Sequence, residues 1–236
     1  MHEYKESGIT INQFMNKVRT KLNLPTGTKI AYAGRLDPMA RGIVPILIND
    51  ECKKMNLYTS QDKIYHVKVI VGIQTDSDDV LGIIQKNLSQ GQNVQKIIEI
   101  YNNIFNVSNL TIEQRFHYFS TKEINKRRRK INEPTSHTVK LYNSTILSSG
   151  TLNKDEWVDT INKLIATIDE TKNFRQKEII EQWVINKTGG VIEYIELELN
   201  VSSGFFVRQY IRDLSNTLNI PLMCYDIHRI SCNNIS

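Results

Sequence analysis

Apolar residues recur every three or four positions in several parts of the chain, which is the spacing of an amphipathic helix. The first such segment begins after Thr10, where Thr10 and Gln13 form a capping-box pair, and it ends before Pro25. The same spacing predicts helices over Val94–Phe105, after a cap at Asn153, at Ile179–Val184 and over Val207–Leu218. The two helices between about 152 and 188 are interpreted as a helical insertion.

Alternation of apolar and polar residues predicts strands elsewhere in the chain. Tyr65–Val71 and Ile195–Val201 alternate as half-buried strands do, and the apolar run Val44–Ile48 is typical of a strand. Between Thr26 and Val44, glycines and prolines interrupt short apolar pieces, which indicates a structured loop. The chain has no internal repeat and no low-complexity linker, so a single domain over residues 1–236 is expected.

The positive charge of the chain is concentrated in one place. Its 236 residues are 40% hydrophobic, which is enough for one good-sized core and excludes general disorder. The net charge of +5 equals one run of five consecutive basic residues, Lys126, Arg127, Arg128, Arg129 and Lys130. We call residues 126–130 the basic run. It indicates either an anionic partner or a solvated loop.

Cysteine content and apolar run length bear on the compartment. The three cysteines are an odd number without a CxxC pair, which argues against a disulfide framework or a zinc site and fits a reducing compartment. The longest apolar stretches, such as Ile43–Ile48, fall far short of the roughly 20 residues that span a bilayer. A cytoplasmic protein without a membrane partner is therefore expected, while a nuclear or organellar location stays open.

Three patches could carry chemistry. Asp37 lies in a loop bracketed by glycine and proline, where a rigid backbone can hold a nucleophile or base, although Asp-Pro is also a common turn. Residues 75–79 contain three aspartates but lack the spacing of a calcium loop, so a solvated turn is favoured over a metal site. Arg208 follows a glycine turn near the start of a helix. It is either a surface charge or a buried partner for a carboxylate.

Together the patches resemble a known family. Within YAGRLDPMARGIVPIL, the residues that match are Gly34, Leu36, Asp37, Pro38, Ala40, Gly42 and Pro45, and they resemble the signature loop of the TruB family of tRNA pseudouridine synthases. Further matching pieces follow in the family's order over essentially the whole chain. They are Lys63 with Tyr65, then Gly72, Thr75, Asp79 and Gly82, then Tyr118, Ser120 and Lys122, then His137 and Val139, and finally Ser203, Gly204, Arg208, Asp213 and Leu214.

The resemblance implies a fold and an activity. The fold would be the α+β pseudouridine synthase fold, a mixed and mostly antiparallel sheet flanked by helices, and the protein would be a monomer. The activity would be isomerisation of uridine to pseudouridine in structured RNA, most specifically uridine 55 in the T-loop of tRNA, without cofactor or metal. Asp37 would be the catalytic aspartate, Tyr65 would stack on the target base, and Arg208 would pair with Asp37.

The resemblance also implies residues that bind the substrate. A target uridine has to be flipped out of its stack into a closed pocket. Leu214 would line that pocket, and Asp79 and Arg35 would help to bind the nucleotides. Tyr32 stands where many members have a histidine and would replace its contact. The usual proline pair is missing around 114–118, which puts the fit of that loop in question.

The chain ends soon after the matching region, so we expect no C-terminal PUA domain. RNA affinity would then come from the catalytic domain, with Lys122 and the basic run as phosphate contacts. Three alternatives stay open. They are pseudouridylation of another RNA, an RNA-binding or RNA-folding protein without catalysis, and a nuclear-localisation role for the basic run.

Overall fold

A computed structural model describes residues 1–88, 94–104, 108–120 and 136–233. Its strands are β1 His2–Lys5, β2 Ile30–Tyr32, β3 Arg41–Ile48, β4 Asp62–Val71, β5 Ile73–Thr75, β6 Ile84–Asn87, β7 Leu110–Arg115, β8 Ser136–Asn153, β9 Val191–Val201 and β10 Leu222–Asn233. Its α-helices are α1 Ile11–Lys21, α2 Met55–Thr59, α3 Val94–Ile104, α4 Lys154–Ala166, α5 Gln176–Ile185 and α6 Val207–Leu218. Short 3-10 helices cover Asn49–Lys54 and Glu170–Lys172.

One large sheet runs through the molecule in the order β1-β3-β10-β4-β9-β8-β7, with β2 added to β3. The pairs are antiparallel except that β10 lies parallel to β3. Strands β5 and β6 form a separate hairpin. The predicted α+β class with a mixed, mostly antiparallel sheet is confirmed.

The alternation in β4 separates two hydrophobic clusters on the two faces of the sheet. Tyr65, Val67 and Val69 belong to the larger cluster, which α1, α3 and α6 cover. Ile70 points the other way into a second cluster with Trp157 of α4 and Trp183 of α5. The two indole rings meet edge to face with centroids 5.2 Å apart. Helices α4 and α5 follow β8 and precede β9 in the chain. They cover the face of the sheet opposite to α6.

Local sequence signals set several boundaries. The predicted capping box at the start of α1 is confirmed, since the side chains of Thr10 and Gln13 each accept a hydrogen bond from the other's backbone N–H. The Asn153 side chain caps α4 by accepting from two backbone N–H groups. Helix α6 has the predicted bounds. Within the described ranges, no helix is long and apolar enough to span a membrane.

Candidate active site

Asp37 lies in the loop between β2 and β3, at the mouth of a cavity. Its side chain is 38% exposed, and its Oδ2 is 2.7 Å from Nη2 of Arg208. Burial opposes ionisation, but the Arg208 guanidinium outweighs it, with help from Arg35, so the pKa of Asp37 lies below its ordinary value. Asp37 is therefore an oriented carboxylate at neutral pH.

Arg208 lies in the first turn of α6 with only 9% of its side chain exposed, so it is not a surface charge. Its Nη1 donates to the carbonyl oxygen of Ser77 at 3.0 Å and lies 3.5 Å from Oδ2 of Asp79. These partners satisfy the end of the guanidinium that faces away from Asp37. A buried arginine fixed in this way can present a preorganised charge to a reacting carboxylate.

The cavity beside this ion pair has a volume of about 640 Å³. Tyr65, which is 7% exposed, lies in its wall together with Asp37 and Arg208. Burial raises the pKa of Tyr65 above its ordinary value, so the phenol keeps its proton. The predicted catalytic residues therefore come together around one cavity of the size that holds a small ligand.

Lys5, the last residue of β1, holds the backbone of the Asp37 loop through hydrogen bonds. Its fully buried ammonium group donates to the carbonyl oxygens of Asp37, Pro38 and Ala40, at 3.1, 3.2 and 2.7 Å, and to that of Glu6 at 3.0 Å. Burial lowers the pKa of Lys5 to about 7. Three of these contacts lie within four residues of the loop, so they fix the backbone that carries the Asp37 carboxylate.

The acidic turn, residues 75–79, is not solvated, and the sequence-based interpretation was wrong on this point. Asp78 and Asp79 are 0% and 5% exposed. Each aspartate has its own arginine from a distant element, because Asp76 pairs with Arg175, Asp78 with Arg212 and Asp79 with Arg208. Burial raises the pKa of Asp79 despite the opposing charge of Arg208. The aspartates therefore act as anchors for arginine side chains.

Several predicted substrate-binding residues lie away from the cavity. Tyr32 packs partly against the core, and Leu214 is 1% exposed inside it, because both side chains point into the larger cluster. Asp79 contacts Nη1 of Arg208, whereas Asp37 contacts Nη2, so Asp79 is a partner of the arginine. Arg35 does line the cavity. Lys122 and the basic run lie outside the described residues, so their roles stay predictions.

Besides Lys5, sequence reasoning missed Arg229 and His117, which shape the site. Arg229 is 1% exposed and donates to the carbonyl oxygens of Gly34 and Ile43, at 2.8 and 2.7 Å, which ties β10 to the Asp37 loop. His117 lines the cavity and binds Asp78 with 2.8 Å between Nε2 and Oδ2. Burial lowers the pKa of His117 below its ordinary value. A single histidine or arginine in a sequence does not reveal such a partner.

No group of three or more His, Cys, Asp or Glu side chains suited to a metal ion occurs in the part of the chain that the structure describes. Asp76, Asp78 and Asp79 turn toward different arginines and do not converge on a common point.

Two curated proteins with similar sequences carry the same name. A protein of Mesoplasma florum named tRNA pseudouridine synthase B is 26% identical over 220 residues, which cover 92% of this chain and 70% of the relative. A protein of the same name from Mycoplasma mycoides subsp. mycoides is 38% identical over 104 residues, covering 42% of this chain and 34% of the relative. The matched part thus differs widely between relatives and reaches only a third of the second one.

A solved structure shares the fold. A Cbf5–Nop10–Gar1 complex contains a chain that superposes with a TM-score of 0.54 at 14% identity, covering 97% of this chain and 47% of that one. At this identity the likeness concerns the fold alone. The family model described as TruB family pseudouridylate synthase (N terminal domain) matches residues 19–149. Because that match covers more than half of the 236 residues, the chain belongs to the TruB family of pseudouridylate synthases.

Proposed function

We propose that this protein isomerises uridine to pseudouridine in tRNA, at uridine 55 of the T-loop. The observation that carries the proposal is the ion pair between Asp37 and Arg208 at the mouth of a cavity walled by Tyr65. Family membership supports the reaction, and the name shared by the Mesoplasma and Mycoplasma relatives supports tRNA as the substrate. The catalytic unit is the single domain 1–236, with α4 and α5 as an insertion at about 152–188.

The reaction breaks the bond from N1 of the base to C1′ of the sugar and forms a bond from C5 to C1′. The C5 proton is lost to solvent, and N1 gains a proton. Asp37 acts on the sugar or the base as an ionised carboxylate, since Arg208 holds its pKa low. The direct contact with Arg208 also holds the carboxylate in one orientation, so little reorganisation is needed when charge develops.

Tyr65 supports binding of the flipped base. Its ring is fixed by burial in the cavity wall and offers an aromatic face on which a uracil can stack. Because its phenol stays protonated, Tyr65 can also donate a hydrogen bond or a proton to the substrate. Arg35, an exposed residue in the cavity lining, is placed to meet a phosphate of the incoming strand.

Phosphate contact outside the cavity is assigned in this proposal to Lys122 and the basic run. The rest of the chain is electroneutral, with 25 basic and 25 acidic residues once the five are set aside. Affinity for a polyanion depends on local positive charge, which this segment concentrates.

Release of tritium from a tRNA transcript that carries 5-tritiated uridine tests the proposal. The wild-type protein is expected to release one tritium per transcript, and Asp37→Asn none. Asp50→Asn is the matched control because Asp50 is an exposed aspartate that pairs with Lys53, and it should keep wild-type activity. A transcript with cytidine in place of uridine 55 should release no tritium. Equal release by the wild type and Asp37→Asn would refute the catalytic assignment, and release from the cytidine transcript would refute the target position.

A further inference from the structure

His117 belongs to none of the elements that carry Asp37, Tyr65 or Arg208, yet it lies in the wall of the same cavity. It follows β7 in residues 116–120, which we call the wall segment, and Ser120 of this segment also lines the cavity. The imidazole is 1% exposed. A wall of this kind can define a binding site only if something holds it in place.

Two hydrogen bonds fix the imidazole of His117. The backbone N–H of Phe119 donates to Nδ1 at 3.2 Å, so Nδ1 carries a lone pair and the ring proton is on Nε2. Nε2 therefore donates to Oδ2 of Asp78 at 2.8 Å. The backbone of the same residue closes a turn, since Ser120 N–H donates to the His117 carbonyl oxygen at 2.8 Å. Both ring nitrogens are used, so His117 has no free nitrogen for direct chemistry.

The carboxylate that accepts this hydrogen bond is itself firmly held. Asp78 is fully buried, and Arg212 of α6 donates to the same Oδ2. The other oxygen, Oδ1, is buried with no hydrogen-bond partner among the described residues. The backbone carbonyl of Asp78 accepts from the N–H of Cys224 in β10 at 2.9 Å. His117 and Arg212 thus provide the polar contacts of a buried charge, and neither can be removed without cost.

The acidic turn that anchors His117 also anchors the catalytic arginine. Ser77 and Asp79, the neighbours of Asp78 on either side, contact Nη1 of Arg208. The acidic turn therefore holds both Arg208, which orients Asp37, and the wall segment.

A second contact ties the wall segment to the same turn. The guanidinium of Arg175 lies 5.2 Å from the ring centroid of Phe119, and the same group binds both oxygens of Asp76, at 2.7 and 3.1 Å. The contact with Arg175 holds the wall segment at Phe119, whereas the hydrogen bond to Asp78 holds it at His117, which lines the cavity.

We propose that His117 is a positioning residue. Through its hydrogen bond to Asp78 it sets the wall segment at a fixed distance from Arg208 and so shapes the cavity for the flipped nucleotide. The inference rests on the proposed function for its kinetic consequence only. Because Arg208 keeps its own contacts with Ser77, Asp79 and Asp37, we expect removal of the His117 side chain to affect how well RNA fits and to leave the reacting groups in place.

Steady-state kinetics on the tRNA transcript test this role in the intact chain of 236 residues. His117→Ala is expected to raise KM about tenfold, the size of one charge-assisted hydrogen bond, while kcat stays within about twofold. His117→Gln retains an N–H that can reach Asp78 and should restore KM to near the wild-type value. A smaller fraction of folded protein would lower the apparent kcat at unchanged KM, so it is distinguishable from a positioning effect.

The matched control is His66→Ala. The side chain of His66 also contacts a carboxylate, that of Glu198, with 3.1 Å between Nε2 and Oε2. His66 alternates with Tyr65 and so lies on the opposite face of β4. The His66→Ala variant should leave KM and kcat unchanged. An equal rise of KM in both alanine variants, or a rise that His117→Gln does not reverse, would overturn the proposal.

Amide hydrogen exchange tests the anchor without reference to activity. In His117→Ala, the Phe119 and Ser120 amides should exchange at least tenfold faster than in the wild type, and in His117→Gln they should be protected again. Unchanged protection in His117→Ala would refute the anchor. If the wild type released no tritium at all, the proposed function would fail, and hydrogen exchange would still decide whether His117 holds the wall segment.

Discussion

Replacing Lys5 by methionine tests whether burial beside the Asp37 loop lowers the pKa of the Lys5 side chain in the folded protein. Burial lowers the pKa of Lys5 from 10.5 to about 7 in the folded protein. The folded chain releases this proton near pH 7, whereas the unfolded chain keeps it until about pH 10.4. Between these values the unfolded chain binds more protons, so the free energy of unfolding rises with pH by up to about 1.4 kcal/mol per pH unit.

Between pH 7 and pH 9, this difference in bound protons raises the free energy of unfolding of the wild type by about 2 kcal/mol in total. Lys5→Met has a side chain of similar length that does not titrate, so it lacks the contribution. Urea unfolding of both proteins at pH 7, 8 and 9 measures it, and the gap in unfolding free energy should change by about 2 kcal/mol in favour of the wild type. Subtracting the two free energies of unfolding at each pH cancels the contributions of titrating groups that both proteins contain.

Lys17→Met is the control, since Lys17 is an exposed lysine on α1. Its unfolding free energy should follow that of the wild type in parallel across the same pH range. Parallel curves for Lys5→Met as well would refute the reasoning, because they would mean that Lys5 titrates alike in the folded and unfolded chains.

Two further predictions concern the basic run and the parallel strand pair. Changing the three arginines of the basic run to serine should weaken binding of tRNA and make the log–log salt dependence shallower by about 0.7 to 0.9 for each phosphate that is no longer neutralised, whereas an unchanged slope would place the run off the RNA path. The matched control changes three exposed lysines, Lys17, Lys53 and Lys163. Gly42→Ala should destabilise the protein by about 3 kcal/mol or more in urea unfolding, because its Cβ would lie 2.2 Å from the carbonyl oxygen of Arg229. Gly27→Ala, at φ +88° with no atom within 4 Å of its Cβ, should cost only about 1 kcal/mol, and equal destabilisation by both changes would contradict the argument.

Local patterns predicted what is locally determined. The capping box of Thr10 and Gln13 lies within one turn of α1, and the apolar stripe of α6 needs only its own twelve residues, so both were correctly predicted. The alternation of β4 likewise indicated its buried face. In each case the residues that decide the structure are neighbours in sequence.

The acidic turn was misjudged for the opposite reason. Aspartates in a short polar stretch are usually solvated. Here Asp78 and Asp79 are buried, and Arg175, Arg208 and Arg212 reach the turn from positions about 100 to 135 residues later. The same holds for His117, whose role depends on Asp78, 39 residues away. Side-chain pairings over such separations are a property of the folded topology and have no periodic signature.

The parallel pairing of β3 with β10 has a consequence for the order of folding. Arg229 in β10 binds the carbonyl oxygens of Ile43 and Gly34, which precede it by 186 and 195 residues. Contacts of such high sequence separation are slow to form, because the intervening chain must first be brought to order. The Asp37 loop is synthesised before β10, but it cannot acquire its final shape until β10 has docked beside β3. We therefore expect the surroundings of Asp37 to assemble only after these two distant strands have paired.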